Sequence, residues 1–417
     1  MRPWPLAISI SCVAAALAPS EPAGETYAFL IAGDLHGKLT PCGCTKPMSG
    51  GIRRMGSAIR SLAAKEGTVF LVNDGISGGS SRQDEIKLDT VAESLRALDV
   101  AAINLGGSEA KLGRGPIQSA IQLSEDRFIA TGLQESPSNP VPPYALKGPF
   151  LIGGLTNGND ALARTMGEKP RSAEASASWL VQQAKESQFI PVLMIQMGRN
   201  DAVELAKDLP SLKLIVYSAT GIPRMEKIGG TTIVTPGEKG KYLVRLLYKD
   251  GVISGYVPVN LGPEFKDDPQ VSRLYKNYLS RIAEEKLLEK LPRRKTAAFA
   301  GNAKCGSCHV QAMKIWQSSK HAIALRTLER EGQQIDPDCV GCHVVRLDST
   351  VGFRSRMFTP QLANVGCESC HGPGKGHALN PRIAMPKIGP SACLTCHTGN
   401  TSPGFAFASY WKKIIHK

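Results

Sequence analysis

Two domains of different class are predicted: a layered α/β domain over residues 25–266 and a smaller, mainly helical domain over 299–417, with a helix and linker at 267–298. Three observations lead there. Short apolar runs bounded by Gly, Asp or Asn alternate with helix-period stretches through the first 260 residues, the order that builds a sheet covered by helices. From residue 300 onward long apolar runs give way to Gly and Pro, leaving too little side-chain bulk for an independent core. Into that same block crowd four copies of Cys-x-x-Cys-His.

Residues 1–24 carry Arg2, an apolar run from Leu6 to Ala18 and then a polar stretch. This is the order of an export signal, and it is too short for a permanent membrane span. Ser9-Ile-Ser-Cys12 loosely resembles a lipoprotein box, so a lipid anchor at Cys12 is a secondary expectation. No other apolar run approaches transmembrane length. Strands are predicted at Thr26–Ala32, Thr68–Asn73, Ala101–Leu105, Phe128–Ala130, Pro149–Gly153, Pro191–Gln196 and Leu212–Tyr217. Helical periodicity fills 52–65, 86–98, 173–186 and 201–208. Thr231–Val234 and Tyr242–Tyr248 are strand-like, and Lys249-Asp250-Gly251 turns a hairpin into Val252–Val259. A long amphipathic helix at about 269–290 places Val271, Leu274, Tyr275, Tyr278 and Ile282 on one stripe, read as core packing. Pro292-Arg-Arg-Lys295 ends it.

The repeated pentapeptides are Cys305-x-x-Cys308-His309, Cys339-x-x-Cys342-His343, Cys367-x-x-Cys370-His371 and Cys393-x-x-Cys396-His397. Each is the attachment signature of a c-type haem. The two thiols add across the vinyl groups and the His supplies the proximal iron ligand. Zinc ribbons use paired Cys-x-x-Cys without requiring a following His. Ten of the eleven cysteines fall in five close pairs, which is cofactor chemistry rather than a disulfide framework. Four covalent haems would form the core of this block, so their loss should unfold it. Such attachment takes place outside the cytoplasmic membrane, in keeping with export to a periplasmic setting.

Three further His lie in the block, His321, His377 and His416, and one lies outside it, His36. They predict three bis-His irons and a fourth that is open or differently ligated. Met313, Met357, Met385 or His36 are the alternatives to an open face. Saturated irons transfer electrons, whereas an open iron also binds a small ligand.

The formal charge is +14, and residues 305–417 hold 13 Lys and Arg against 6 Asp and Glu. About eight haem propionates would offset part of that excess, and the rest serves solubility or an acidic redox partner protein. Nucleic acid is not expected, because no basic-aromatic motif is present.

Residues 299–417 resemble the cytochrome c-554 family. The resemblance rests on the first motif followed by Trp316-x-x-Ser-Lys-His321, on Val365-Gly-Cys-Glu-Ser-Cys-His-Gly-Pro-Gly374 with His377, and on Cys393-x-x-Cys-His-Thr398 before Trp411. It implies closely stacked haems, mostly bis-His with one five-coordinate iron, and electron transfer with a nitrogen-oxidising partner.

Residues 26–249 resemble the metallophosphoesterase domain of bacterial 5′-nucleotidases, implying a layered α+β sandwich. That likeness is carried by Asp34-Leu-His36-Gly37, Gly50-Gly-Ile-Arg-Arg-Met55 and Gly237-Glu-Lys-Gly-Lys-Tyr-Leu243. Asp34, His36 and, displaced by a place, Asp74 stand where the family holds metal. The other ligands are replaced: Asn-His-Glu by Gly107-Ser108-Glu109, a later His by Gln196, and a closing His pair by Ser218 and Thr220. So few ligands cannot hold two metals, and phosphohydrolysis is not expected.

Cys42 and Cys44 follow Asp34 and His36 closely enough to hold one divalent or redox metal ion with them. A redox thiol pair or a structural loop are the alternatives. Three functions compete: an exported tetrahaem electron carrier with an inactive first domain; an oxidoreductase for a small nitrogen or sulfur compound at an open haem or at Cys42/Cys44; and a phosphoesterase with a haem appendage. The catalytic residues are not identified.

Overall fold

A computed structural model describes residues 26–41, 48–63, 67–73, 75–399 and 401–416. The leader with Cys12, and also Cys42, Cys44 and Asp74, lie outside the described residues.

The first domain contains β1 (Thr26–Gly33), β2 (Thr68–Asn73), β3 (Val100–Asn104), β4 (Phe128–Ile129), β5 (Tyr144–Lys147), β6 (Phe150–Thr156), β7 (Ile190–Gln196), β8 (Leu214–Tyr217), β9 (Arg224–Ile228), β10 (Thr231–Thr235), β11 (Tyr242–Lys249) and β12 (Val252–Asn260). They form two six-stranded sheets, ordered β12-β11-β1-β2-β3-β4 and β5-β6-β7-β8-β10-β9. Parallel pairing runs through β1–β4 and through β6, β7, β8 and β10, with antiparallel strands at the margins.

Strand periodicity divides the apolar residues between faces. Phe29, Ile31, Val69 and Leu71 meet Ile152, Val192, Met194 and Val216 between the sheets. Leu30, Ala32, Phe70 and Val72 turn outward. There they are covered by the helices Ile52–Leu62, Arg82–Ala97, Arg114–Leu123, Asn159–Met166 and Pro269–Glu284. Ala173–Glu186 and Arg199–Asp208 cover the other sheet. The result is the predicted α/β sandwich, helix–sheet–sheet–helix.

Asp250 and Gly251 both have positive φ, 49° and 76°, and close the hairpin with Lys249 opposite Val252, as the primed two-residue turns require.

Several elements differ from expectation. The edge strands β5 and β9 are half exposed, so neither shows an apolar run. The helix Arg114–Leu123 carries Gly115-Pro116 in its first turn, where Pro is tolerated but disguises the pattern. The long helix stops at Glu284, and Lys286 at φ 52° separates it from the single turn Leu287–Lys290. Its stripe is buried against the sandwich at Val271, Tyr275, Tyr278 and Ile282 as read, joined by Leu279, whereas Leu274 is only half-buried. Asp268 caps it by accepting from Gln270 N (2.9 Å) and Val271 N (3.0 Å).

Residues beyond 300 form short helices and turns. Their one apolar cluster, Leu325, Leu328, Val340, Val344, Val345, Leu347, Phe353, Leu362 and Ala363, surrounds the second pentapeptide. The helices Val310–Ser318, Lys375–Leu379, Pro390–Leu394 and Phe407–Trp411 bury no residue of their own. Leu379 and Leu394 stand open to solvent. A chain folded this way has its apolar surface turned toward something other than itself. Among the described residues no helix is long and apolar enough to cross a membrane.

Candidate haem centres and the mouth of the sandwich

Each pentapeptide begins in a short helical turn: Asn302–Gly306, Pro337–Val340, Cys367–His371 and Pro390–Leu394. A helical turn puts cysteines three apart on one face with the following His beside them. His309 N donates to Cys305 O (3.0 Å) and His397 N to Cys393 O (2.8 Å), which fixes the histidines relative to the thiols.

The motifs are also tied to one another. Buried Glu368 accepts from Ala300 N (2.8 Å), Gly301 N (2.8 Å) and Gly374 N (2.7 Å). Asn302 Oδ1 accepts from Cys367 N at 2.9 Å, and Trp316 Nε1 donates to Val365 O at 2.8 Å. The first and third motifs are thereby locked together. Their thiols share a hydrogen bond, which raises Cys305 and lowers Cys367. The Cys342 thiol does the same for Cys396, bringing it down to about 6. The first motif thus adjoins the third, and the Cys342 thiol adjoins that of Cys396. Glu368, which sits between the cysteines of its motif, gave no signal of this clasp in sequence.

Three of the proximal histidines face a second imidazole across a gap. Ring centroids lie 6.0 Å apart for His309 and His377, 6.2 Å for His321 and His397, and 5.8 Å for His371 and His416. Two metal–nitrogen bonds of about 2.0 Å, with the ring radius at each end, give a comparable spacing. The distance also matches the spacing of one iron between two rings.

Second hydrogen bonds orient the ligands. The Nδ1 atoms of His343, His377 and His416 lie 2.7, 2.7 and 2.8 Å from the carbonyls of Ala324, Ile383 and Ile414. An Nδ1–H donating to a carbonyl leaves the Nε2 lone pair for iron. Burial lowers the proton affinity of His321 and His371, reinforced in each case by the neighbouring imidazoles, and burial alone lowers that of His397. All three shifts favour the neutral, metal-binding form.

His343 is different. The six other histidines of the block are used in the three pairs, and His36 is held by Asp34. Met313 packs against Gly306 of the first motif and Met385 against Gly374 beyond the third, while Met357 is 83% exposed.

The strand ends of the sandwich form a mouth. Asp34 and His36 meet there at 2.5 Å, both at positive φ, with Lys239 N donating to Asp34 at 2.8 Å. The sequence placed them together and the structure does so. Around them, however, stand amides. Asn73 Nδ2 donates to Ile195 O (2.9 Å), and Asn104 Nδ2 donates to Asn73 Oδ1 (2.9 Å) and Leu155 O (2.9 Å). Gln196 Nε2 donates to Asn104 O at 2.9 Å, and Ser218 Oγ reaches Ile195 O at 3.4 Å.

Glu109, fully buried, is occupied by Ile76 N (2.9 Å), Ser77 N (3.0 Å) and Gly106 N (3.2 Å). Burial raises its proton affinity against those bonds. Among the described residues no group of three or more His, Cys, Asp or Glu converges. The described residues do not fit a two-metal phosphoesterase centre, because neutral amides staple the sheets where charged ligands would be needed.

The fold and these centres define a class: an α/β sandwich joined to a multihaem c-type cytochrome block. Residues 304–372 match the family of cytochrome c554 and c-prime. Cytochrome c-554 of Nitrosomonas europaea is 39% identical over 94 residues, spanning 19% of this chain and 40% of that protein. The chain thus covers less than half of that relative.

For the sandwich, the 5′-nucleotidase precursor of Thermus thermophilus superposes with a TM-score of 0.54 at 17% identity, over 66% of this chain and 61% of that one. The NAD nucleotidase NadN of Haemophilus influenzae gives 0.55 at 14%, over 67% and 65%. The sulfate thiohydrolase SoxB of Thermus thermophilus gives 0.51 at 17%, over 63% and 62%. The first domain has the 5′-nucleotidase-like fold, and the C-terminal block is cytochrome c-554-like.

Proposed function

We propose that this protein is an exported tetrahaem electron carrier in which one iron keeps an open axial position, fused to a sandwich that no longer hydrolyses phosphoesters. The observation that carries the reading is the contrast between three imidazole pairs at 5.8–6.2 Å and a lone His343.

Haem c supplies a one-electron couple at each iron when bound. The chain does the rest. Cys305 and Cys308, Cys339 and Cys342, Cys367 and Cys370, and Cys393 and Cys396 anchor the four groups. His309 with His377, His371 with His416 and His397 with His321 would hold three irons. His343, oriented by Ala324 O, would hold the fourth without a second imidazole. The Glu368 clasp and the Cys342–Cys396 contact keep neighbouring attachment sites close, as short electron steps require. Periplasmic location and an acidic redox partner follow from the leader and the basic balance of the block.

Electron paramagnetic resonance of the oxidised protein tests the reading. Three low-spin irons and one high-spin iron support it, and four low-spin irons refute the open position. The lone His343 also favours a second reading, an oxidoreductase acting on a small nitrogen or sulfur compound at that iron. Spectral change on adding nitric oxide or sulfide, confined to the high-spin species, would separate this from simple carriage.

A further inference from the structure

We propose that the sandwich sets the reduction potential of the haem held by Cys339, Cys342 and His343, through Lys87 and its pairing with Asp338. The inference rests on the tetrahaem reading above.

Three side chains, Gln83 and Lys87 of the first domain and Tyr278 of the helix packed on it, converge on the residues just before Cys339. Gln83 Nε2 donates to Asp336 Oδ1 at 2.9 Å and Tyr278 OH to Asp336 Oδ2 at 3.1 Å. Lys87 forms an ion pair with Asp338, the residue next to Cys339. Gln83 Nε2 also reaches Tyr278 OH at 2.8 Å, closing the network. Asp336 is 5% exposed, and the Lys87 side chain 9%. The attachment turn Pro337–Val340 is therefore seated on the helix Arg82–Ala97.

The electrostatics give the seat a consequence. Burial pulls Lys87 down, but the carboxylates of Asp338, Asp336 and Asp84 outweigh it and hold the ammonium charged. A buried charge is weakly screened by salt, so it acts on an iron held by the adjoining residues. Reduction takes Fe(III) to Fe(II) with one electron from the mediator and no bond made or broken. A fixed cation nearby favours the added electron, and a fixed anion opposes it. Lys87 is thus a positioning and tuning residue for that haem alone.

The sign of the effect separates tuning from mere support, because two substitutions break the same ion pair with opposite charge. Mediated redox titration of the intact protein, followed by electron paramagnetic resonance, reads each iron separately. Lys87→Met should move the midpoint of the high-spin iron to lower potential, and Asp338→Asn should move it higher. Lys87→Arg should restore it, and the low-spin midpoints should stay in place. Shifts in the same direction for both variants, or none in folded protein, overturn the proposal. A wild type without a high-spin signal would overturn the open position instead. Opposite shifts of one low-spin midpoint would then still support the tuning.

Discussion

Replacing His377 by Ala tests the axial pairing most directly. His377 lies on the helix Lys375–Leu379, which buries no residue, and is held by its Nδ1 bond to Ile383 O. Its loss removes no core packing. It takes the partner from His309, 6.0 Å away, and leaves one iron with a single imidazole. On the proposed reading, one of the four irons is high-spin in the wild type and two are in the variant. The high-spin signal should double and the low-spin signal fall by a third. Spin quantitation on oxidised protein measures this, with the haem-to-protein ratio checked to be unchanged. A variant with the wild-type ratio would show that His377 is a surface histidine. A high-spin share already at one half in the wild type would show that one of the three pairs does not close.

Other outcomes follow from the sandwich. Asp268 caps its helix and accepts from Arg60 Nε at 2.6 Å, so Asp268→Ala should cost about 2 kcal/mol, from the cap and the lost ion pair, measured by denaturant unfolding. Burial opposes it, but Arg60 and the two backbone bonds keep the Asp268 carboxyl below its ordinary value of 3.8. Its contribution is therefore full above that value and fades as pH falls through the lowered one. Thermal unfolding of Asp268→Asn should thus lose less than wild type between pH 5 and pH 3. Asn104→Ala strands the carbonyl of Leu155 and the amide oxygen of Asn73, and should cost about 3 kcal/mol. Nucleotides incubated with the protein and added manganese or zinc should show no phosphate release, and turnover above a heat-treated control would restore the phosphoesterase reading.

Periodicity and turn chemistry carried most of the fold. Phe29 and Ile31 against Leu30 and Ala32 sort to opposite faces because every second residue must. Asp250-Gly251 fixes its hairpin because both residues adopt positive φ. The edges β5 and β9 escaped notice because a half-exposed strand needs no apolar run. In the haem block, covalent chemistry fixes spacing, so the attachment residues were legible one by one. Which His answers which was not. His321 lies 76 residues from His397 in sequence, and only the folded path brings their rings together. His343 likewise looks like its three counterparts until the pairs are drawn.

The Asp34–His36 loop and the haem block meet on one helix. The N-terminal turn of Arg82–Ala97 is capped by Ser81 and Asp84, and Asp84 lies against Gly79 in the rim of the mouth. A β-carbon at Gly78 would strike His36 O, and one at Gly37 would press on the Lys87 stem. The same Lys87 ends on Asp338 beside Cys339. One side chain therefore spans from the Asp34–His36 loop to the turn that carries Cys339. A phosphoesterase mouth must admit a substrate and two ions, which calls for charged ligands and space. Here Asn73, Asn104 and Gln196 hold the sheets together with neutral amides, giving a rigid rim. The loop that carries Asp34 and His36 thus also packs, through Gly37, on the stem that brings Lys87 to Asp338.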